Sequence, residues 1–179
     1  MWRPRLHLPV RLRKRDIKYI VVLILTICGA YTIAGDSRVV DADTLRIGEE
    51  RVRLLGVDAP ETKQTCRCDG RTVLCGERSA QALTGFIGKS EVSCEGSERD
   101  KYGRITAECF IERDGKKINL NAWLVEEGHA MAYRYFSEKF VENEERAKAA
   151  KKGIWACSFD EPWEYRKKMR GKKTKKRKR

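Results

Sequence analysis

Histidine is almost missing from this chain: there are two in 179 residues. His7 lies near the start and His129 follows a segment that reads as a helix, and neither is assigned a catalytic role. Charge is missing from Tyr19 to Gly35, where Ile, Val, Leu and Ala dominate. That excludes a solvated surface segment. Seventeen such residues, as a helix, span roughly 25 Å, the short limit for a bilayer core of about 30 Å. Apolar side chains are missing from Gly171–Arg179. Nothing there can be buried, so residues 163–179 are expected to be a disordered tail.

The arginines and lysines are unevenly spread. Residues 1–18 carry seven of them against one Asp, and residues 163–179 carry eleven against one Glu. The net charge is +13. The middle of the chain is therefore slightly acidic, and the basicity belongs to the ends. A basic residues 1–18 segment before the apolar run keeps the N-terminus cytoplasmic and sends the rest across the membrane. Residues 19–35 are thus expected to be a transmembrane signal anchor, or a signal peptide cut near Ala34. A buried helix of a soluble domain is the plainer alternative. The globular part, 37–162, would be extracytoplasmic, in the periplasm or outside the cell, or secreted if the signal is cleaved. The tail suits phosphates held weakly and salt-dependently, anionic lipid, or solvent alone.

Seven cysteines agree with export. Leaving Cys28 in the apolar run, six remain, an even number that reads as disulfides. Cys94 and Cys109 flank a hairpin and are expected to pair. Cys66 with Cys75 and Cys68 with Cys157 is the arrangement adopted for the others. Zinc held by Cys66, Cys68 and Cys75 is the rival, but their spacing matches no common zinc pattern.

The stretch Arg51–Glu61 organises the middle. Val52 and Leu54 alternate with Arg51 and Arg53, as in a half-buried strand. Pro60 ends it. Strict alternation would put Arg53 and Asp58 on opposite faces, and Gly56 is a place for a bulge that re-aims the second half. Upstream, Arg38–Ile47 reads as a strand whose turn at Gly48 makes a hairpin with the next. That brings Asp43 near Asp58, with Glu61 as a third acid. Carboxylate oxygens suit a hard, calcium-like ion, and guanidinium forks suit phosphoryl oxygens. Solvated charges on a surface strand are the alternative. For Asp41, a solvent-facing turn acid stands beside direct ligation.

Further along, a helix is expected over 77–87, with Ala80, Leu83 and Ile87 inward and Gly88 as its stop. Strands follow at 91–94 and 104–111, joined by a polar tip that presents Lys101, Tyr102 and Arg104. A second helix is expected over 119–127 with Leu120, Trp123 and Leu124 inward. Tyr133 and Tyr135, two apart, share a face if extended, either as a stacking platform for bases or with one in the core. Ser137 would cap a third helix over 138–152, using Phe140, Val141 and Ala147 as contacts and Gly153 as its stop.

Taken together, Asp41–Thr44, Arg53–Glu61, Asp100–Arg104, Asn121–Gly128, Ala132–Tyr135 and Gly153–Trp155 resemble the staphylococcal nuclease (thermonuclease) family, in order and over most of residues 37–157. The resemblance implies an α+β, mainly β, fold: a five-stranded OB-type β-barrel with three α-helices, binding nucleic acid in its groove. It implies Asp43 and Asp58 as calcium carboxylates and Ala59 as a ligand through its carbonyl. It implies Glu61 as the catalytic glutamate, and Arg53 and Arg104 as phosphate-clamping arginines. Lys101, Tyr102, Tyr133 and Tyr135 match substrate contacts. The loop Cys66–Cys75 departs from the family, replacing a lysine-rich loop.

The expectation is a Ca2+-dependent nuclease acting on single-stranded or denatured DNA and on RNA, leaving 3′-phosphates. It would act as a monomer tethered to the membrane by its N-terminal helix, with no protein partner implied. Two alternatives remain. One is a non-catalytic nucleic-acid-binding module, since a fold does not fix function. The other is a tethered adhesion domain. A pure binder has no need of Asp43, Arg53, Asp58, Glu61 and Arg104 together.

Overall fold

The computed structural model describes residues 31–177, with side chains as far as Lys172. Eleven strands are present: β1 Tyr31–Gly35, β2 Ser37–Asp41, β3 Thr44–Ile47, β4 Glu50–Leu54, β5 Val57–Asp58, β6 Thr65–Cys68, β7 Arg71–Leu74, β8 Val92–Arg99, β9 Ile105–Arg113, β10 Lys116–Asn119 and β11 Met131–Ala132. The helices are α1 Cys75–Ile87, α2 Leu120–Glu126, α3 Val141–Ala149 and α4 Pro162–Arg177, with a 3-10 turn at Gly153–Ala156.

One curled sheet carries the fold, in the order β1-β8-β9-β4-β3-β2, with β10 also on β9. Its ladders are antiparallel except for β4 on β9, which is parallel with Arg53 opposite Thr106. The alternation expected of Arg51–Leu54 holds: Val52 and Leu54 are buried and Arg51 is exposed. They join Leu45, Val92, Ala107, Ile111, Leu83, Leu120 and Leu124 in the core between the sheet and the first two helices. This is an OB-like half-barrel of the expected class, but its main sheet has seven strands where five were expected, and four helices are described where three were expected.

Four differences from the sequence reading have physical causes. First, the helix expected over 19–35 lies outside the described residues except for its last five. Those five form β1, paired with β8 from Tyr31↔Gly96 to Gly35↔Val92, and Ile33 is buried in the core. Their apolar character serves the barrel, and a cut at Ala34 would remove most of the strand. No described helix is long and apolar enough to cross a membrane. Second, Ala42 and Asp43 form a tight turn between β2 and β3, so residues 38–47 are two strands and not one. Third, the helix expected from 138 begins at Val141. The Ser137 hydroxyl accepts a hydrogen bond from the Lys139 N–H, two residues on, which favours a local turn over a helix cap. That turn delivers Phe140 against Gly56. Fourth, residues 163–177 belong to α4 instead of a disordered tail. Pro162, buried and at the first helical position, starts it with a fixed φ and no N–H to satisfy.

All three expected disulfides are present: Cys94–Cys109 inside the β8–β9 pair, Cys66–Cys75, and Cys68–Cys157. The last two fasten the β6–β7 hairpin to α1 and to the segment before α4.

Asn121 is the buried polar pin of the fold. Its Oδ1 accepts from the Cys109 N–H at 3.0 Å, and its Nδ2 donates to the carbonyls of Leu55 at 2.9 Å and Ala107 at 3.2 Å. It thereby ties α2 to β9 and to the turn that follows β4. Replacing Asn121 by Ala leaves those buried groups unpaired and is expected to cost about 2–4 kcal/mol in urea unfolding. His129 gives a second test. Burial holds its imidazole below the ordinary 6.5, against a weaker opposing pull from Glu127. The unfolded chain therefore takes up that proton first, and stability falls as pH drops below about 6.5. In H129Q, the thermal midpoint is expected to fall less than the wild type's between about pH 7 and pH 5.

Candidate active site

The sequence around β4 and β5 builds a buried cluster of charge. Arg53 is on the face of β4 opposite the core residues Val52 and Leu54, half-buried. The chain then turns at Gly56, whose φ of +70° is readily reached only without a Cβ. This turn re-aims the next two residues, so Asp58 returns to Arg53 despite the five-residue spacing. Asp58 pairs with Met131 of β11 and is fully buried. Asp43 arrives from the β2–β3 turn and is 8% exposed.

Arg53 joins the two acids. Its Nη1 pairs with Asp43 Oδ2 and also donates to the Asp43 carbonyl at 3.2 Å, while its Nη2 is 3.4 Å from Asp58 Oδ1. Asp43 is further fixed by the Thr44 hydroxyl at 3.0 Å and the Ala59 N–H at 3.2 Å. Asp41 stands apart, accepting from the Thr62 hydroxyl.

Glu61 is held through its backbone. Its N–H donates to Gln64 Oε1 at 3.2 Å and its carbonyl accepts from the Gln64 N–H at 2.7 Å. Gln64 is fully buried, and its Nε2 donates to the Asp160 carbonyl at 2.6 Å. Gly76, in the first turn of α1, lies hard against the same segment: a Cβ there would sit 1.8 Å from the Glu61 carbonyl oxygen.

A residue that the sequence reading left in the tail completes the cluster. Arg166 of α4 meets Asp58 with two parallel contacts, Nη1 to Oδ1 at 2.9 Å and Nη2 to Oδ2 at 2.8 Å, and Nη1 also donates to Glu61 Oε1 at 3.0 Å. The usable signal was Pro162 followed by Trp163 and Tyr165, a helix start with aromatic side chains inside a stretch otherwise read as lysine-rich. Gln64 and Gly76 gave no such signal.

Burial raises the Asp58 carboxyl above its ordinary value, and neighbouring Asp43 adds to this. The hydrogen bonds and charge of Arg166, with Arg53 behind it, pull the other way without cancelling the effect. Burial alone would lower the Arg166 guanidinium, but Asp58 and Glu61 hold it above its ordinary value. We take the pair as ionised, because a bidentate guanidinium–carboxylate contact is strong and arginine keeps its proton.

The remaining expected site residues surround this cluster without joining it. Arg104 comes one residue before β9 and two before Thr106, the partner of Arg53, which puts it on the same side of the sheet. Its Nη2 is 2.6 Å from Asp100 Oδ2 and its Nε donates to the same oxygen at 2.7 Å. Tyr102, 71% exposed, lies under both Arg104 and Lys101. On the other side, the Tyr133 N–H donates to the Gly56 carbonyl at 2.9 Å. Tyr135 is in a turn, not an extended segment, yet its ring is 6.2 Å from that of Tyr133. Phe136, absent from the sequence reading, packs edge-on against both. The three rings are adjacent and none belongs to the buried core, Tyr135 being 83% exposed and Phe136 61%.

Oxygen-only donors suit a hard cation. Among the described residues, no three of His, Cys, Asp or Glu are arranged to hold one. Both oxygens of Asp58 face arginine instead, so the guanidinium groups of Arg53 and Arg166 stand in for cationic charge. Asp43 and Asp58 are oxygen donors of the kind a hard cation takes, and both are engaged by arginine.

Residues 51–157 match the family described as staphylococcal nuclease homologue. The chain belongs to that family, one of phosphodiester-hydrolysing nucleases. It is 41% identical over 130 residues to the succinoglycan biosynthesis protein ExoI of Rhizobium meliloti, covering 70% of this chain and 66% of that protein. It is 30% identical over 167 residues to the micrococcal nuclease of Shigella flexneri, covering 85% of this chain and 91% of that one. It is 32% identical over 132 residues to the SPbeta prophage-derived endonuclease YokF of Bacillus subtilis, covering 66% of this chain and 42% of that protein.

Gly76→Ala tests how tightly the Glu61 segment is packed. The added carbon forces Pro60–Glu61 away from α1, and the expected loss is about 1–3 kcal/mol in urea unfolding. An unchanged midpoint would show that the segment yields freely.

Proposed function

We propose that the chain is a calcium-dependent nuclease that hydrolyses phosphodiester bonds in DNA and RNA and leaves 3′-phosphates. The observation that carries this reading is the bridging of buried Asp43 and Asp58 by Arg53, one turn from Glu61, in a member of a nuclease family. A surface-charge role does not require two carboxylates to be buried beside each other. A cation site does, because the ion repays their desolvation.

Asp43, Asp58 and the Ala59 carbonyl would hold calcium, which when bound supplies positive charge to a phosphoryl oxygen. The rest falls to the chain's own groups. Glu61 accepts a hydrogen bond from the attacking water and orients it in line with the 5′ oxygen. A bond forms from the water oxygen to phosphorus and the bond to the 5′ oxygen breaks; the water gives up a proton on Glu61's side, and the 5′ oxygen takes one from solvent water and leaves as a hydroxyl. Arg53 and Arg104 meet the charge that builds on the phosphoryl oxygens, with donors that stay protonated at any working pH. For this, Arg104 exchanges Asp100 for phosphate. Tyr133, Tyr135 and Phe136 offer ring faces to unpaired bases, and Lys101 and Tyr102 flank the strand on the other side. That set favours single-stranded or denatured substrate.

Location outside the cytoplasm is supported by three disulfides and by the basic segment before an uncharged run. Of that run, residues 31–35 are taken by β1, and the uncharged residues before them would serve as an export signal or a short membrane tether.

Correctly folded E61Q or R104A is expected to lose about 10²–10³ in rate on single-stranded DNA with calcium. Chelator should remove the wild-type activity. Turnover near wild type in either variant would end the assignment of roles.

A further inference from the structure

α4 is held differently from the other helices. Among its described residues only Pro162 is buried. Its attachment is polar: the two-pronged contact of Arg166 with Asp58, the Arg166–Glu61 contact, the Tyr165 hydroxyl on the Lys63 carbonyl at 3.2 Å, and Lys168 on Asp160 at 2.6 Å. Its sixteen residues carry nine Arg and Lys against Glu164. Removing such a helix exposes little apolar surface, so its docking depends on charge and is open to competition by other ions.

What Arg166 touches gives the docking a purpose. The guanidinium takes both oxygens of Asp58 and one of Glu61, so one positive group covers the acid that would bind a cation and the acid that would orient water. We propose that α4 is an autoinhibitory latch, in which Arg166 takes the place of the divalent cation and withholds Glu61 until calcium displaces it. This rests on the cation site proposed above. The polyanion helps from the other side, because the cations along α4 gain phosphate partners when the helix leaves. The segment leading to α4 stays fastened by Cys68–Cys157, so the latch can open without the helix drifting away.

A protein whose site is latched nine-tenths of the time binds its ion about tenfold more weakly than the open form. Calorimetric titration of the full chain with calcium chloride should therefore show R166Q binding roughly tenfold more tightly than wild type. Hydrogen exchange on the wild type should show the α4 amides losing protection when calcium is added. This second measurement needs no variant, so a poorly folded R166Q leaves the test intact. Equal or weaker calcium binding by R166Q, or unchanged α4 protection in wild type that binds calcium, overturns the latch. Unchanged calcium binding together with lost turnover makes Arg166 a substrate-binding arginine instead. If neither protein binds calcium, the cation site itself fails, which is a separate result.

Discussion

A carboxylate with no access to water must have a positive partner, and Asp58 is such a carboxylate. It lies on a two-residue strand at the end of the barrel, against Met131, and both of its oxygens face guanidinium groups. Much of the surrounding architecture serves this demand. The turn at Gly56 points Asp58 back at Arg53. The β2–β3 turn brings a second acid to the same arginine. Asn121 locks the carbonyl of Leu55, one residue before that turn, to α2 and β9. The barrel's apolar interior supplies rigidity, but the position of its charged end is set by hydrogen bonds.

Glu61 is controlled by different means. It is more open to water than Asp58, and its placement comes from Gln64 and from the close approach of α1 at Gly76. The site thus has a deep anionic floor and a more exposed acid at the rim. That division suits a floor for permanent charge and a rim for a group that meets water.

The sequence made much of this legible. Alternation in Arg51–Leu54 revealed the buried face of β4, and Gly56 and Pro60 marked where the strand bends and ends. The approach of Asp43 to Asp58 followed from a hairpin and a bulge, both short-range features, whereas their pairing with Arg53 was not foreseen. The Cys94–Cys109 pair was recoverable because the β8–β9 hairpin is local. Other features were not readable. Tyr31–Gly35 looked like the end of a membrane run because an apolar edge strand and an apolar helix share a composition. Helix 138–152 was read too long because the Ser137 hydroxyl could cap a helix or close a turn, and only the burial of Phe140 decides between them. Arg166 was hidden by its lysine-rich surroundings: a contact across 108 residues leaves no periodic trace. Arg104 was read at the polar tip before β9, where it lies, but its resting partner Asp100 was not foreseen.

The three cross-links differ in their access to solvent. Cys94 and Cys109 are sealed inside the barrel, and Cys66 and Cys75 are also buried, whereas Cys68 and Cys157 are only half covered. A small thiol diffusing in from outside would therefore meet the Cys68–Cys157 bridge first. Its opening would leave the segment before α4 held to the hairpin by the two Arg67–Ser158 backbone hydrogen bonds while the barrel stayed stapled, so the molecule can be loosened at one end without being unmade.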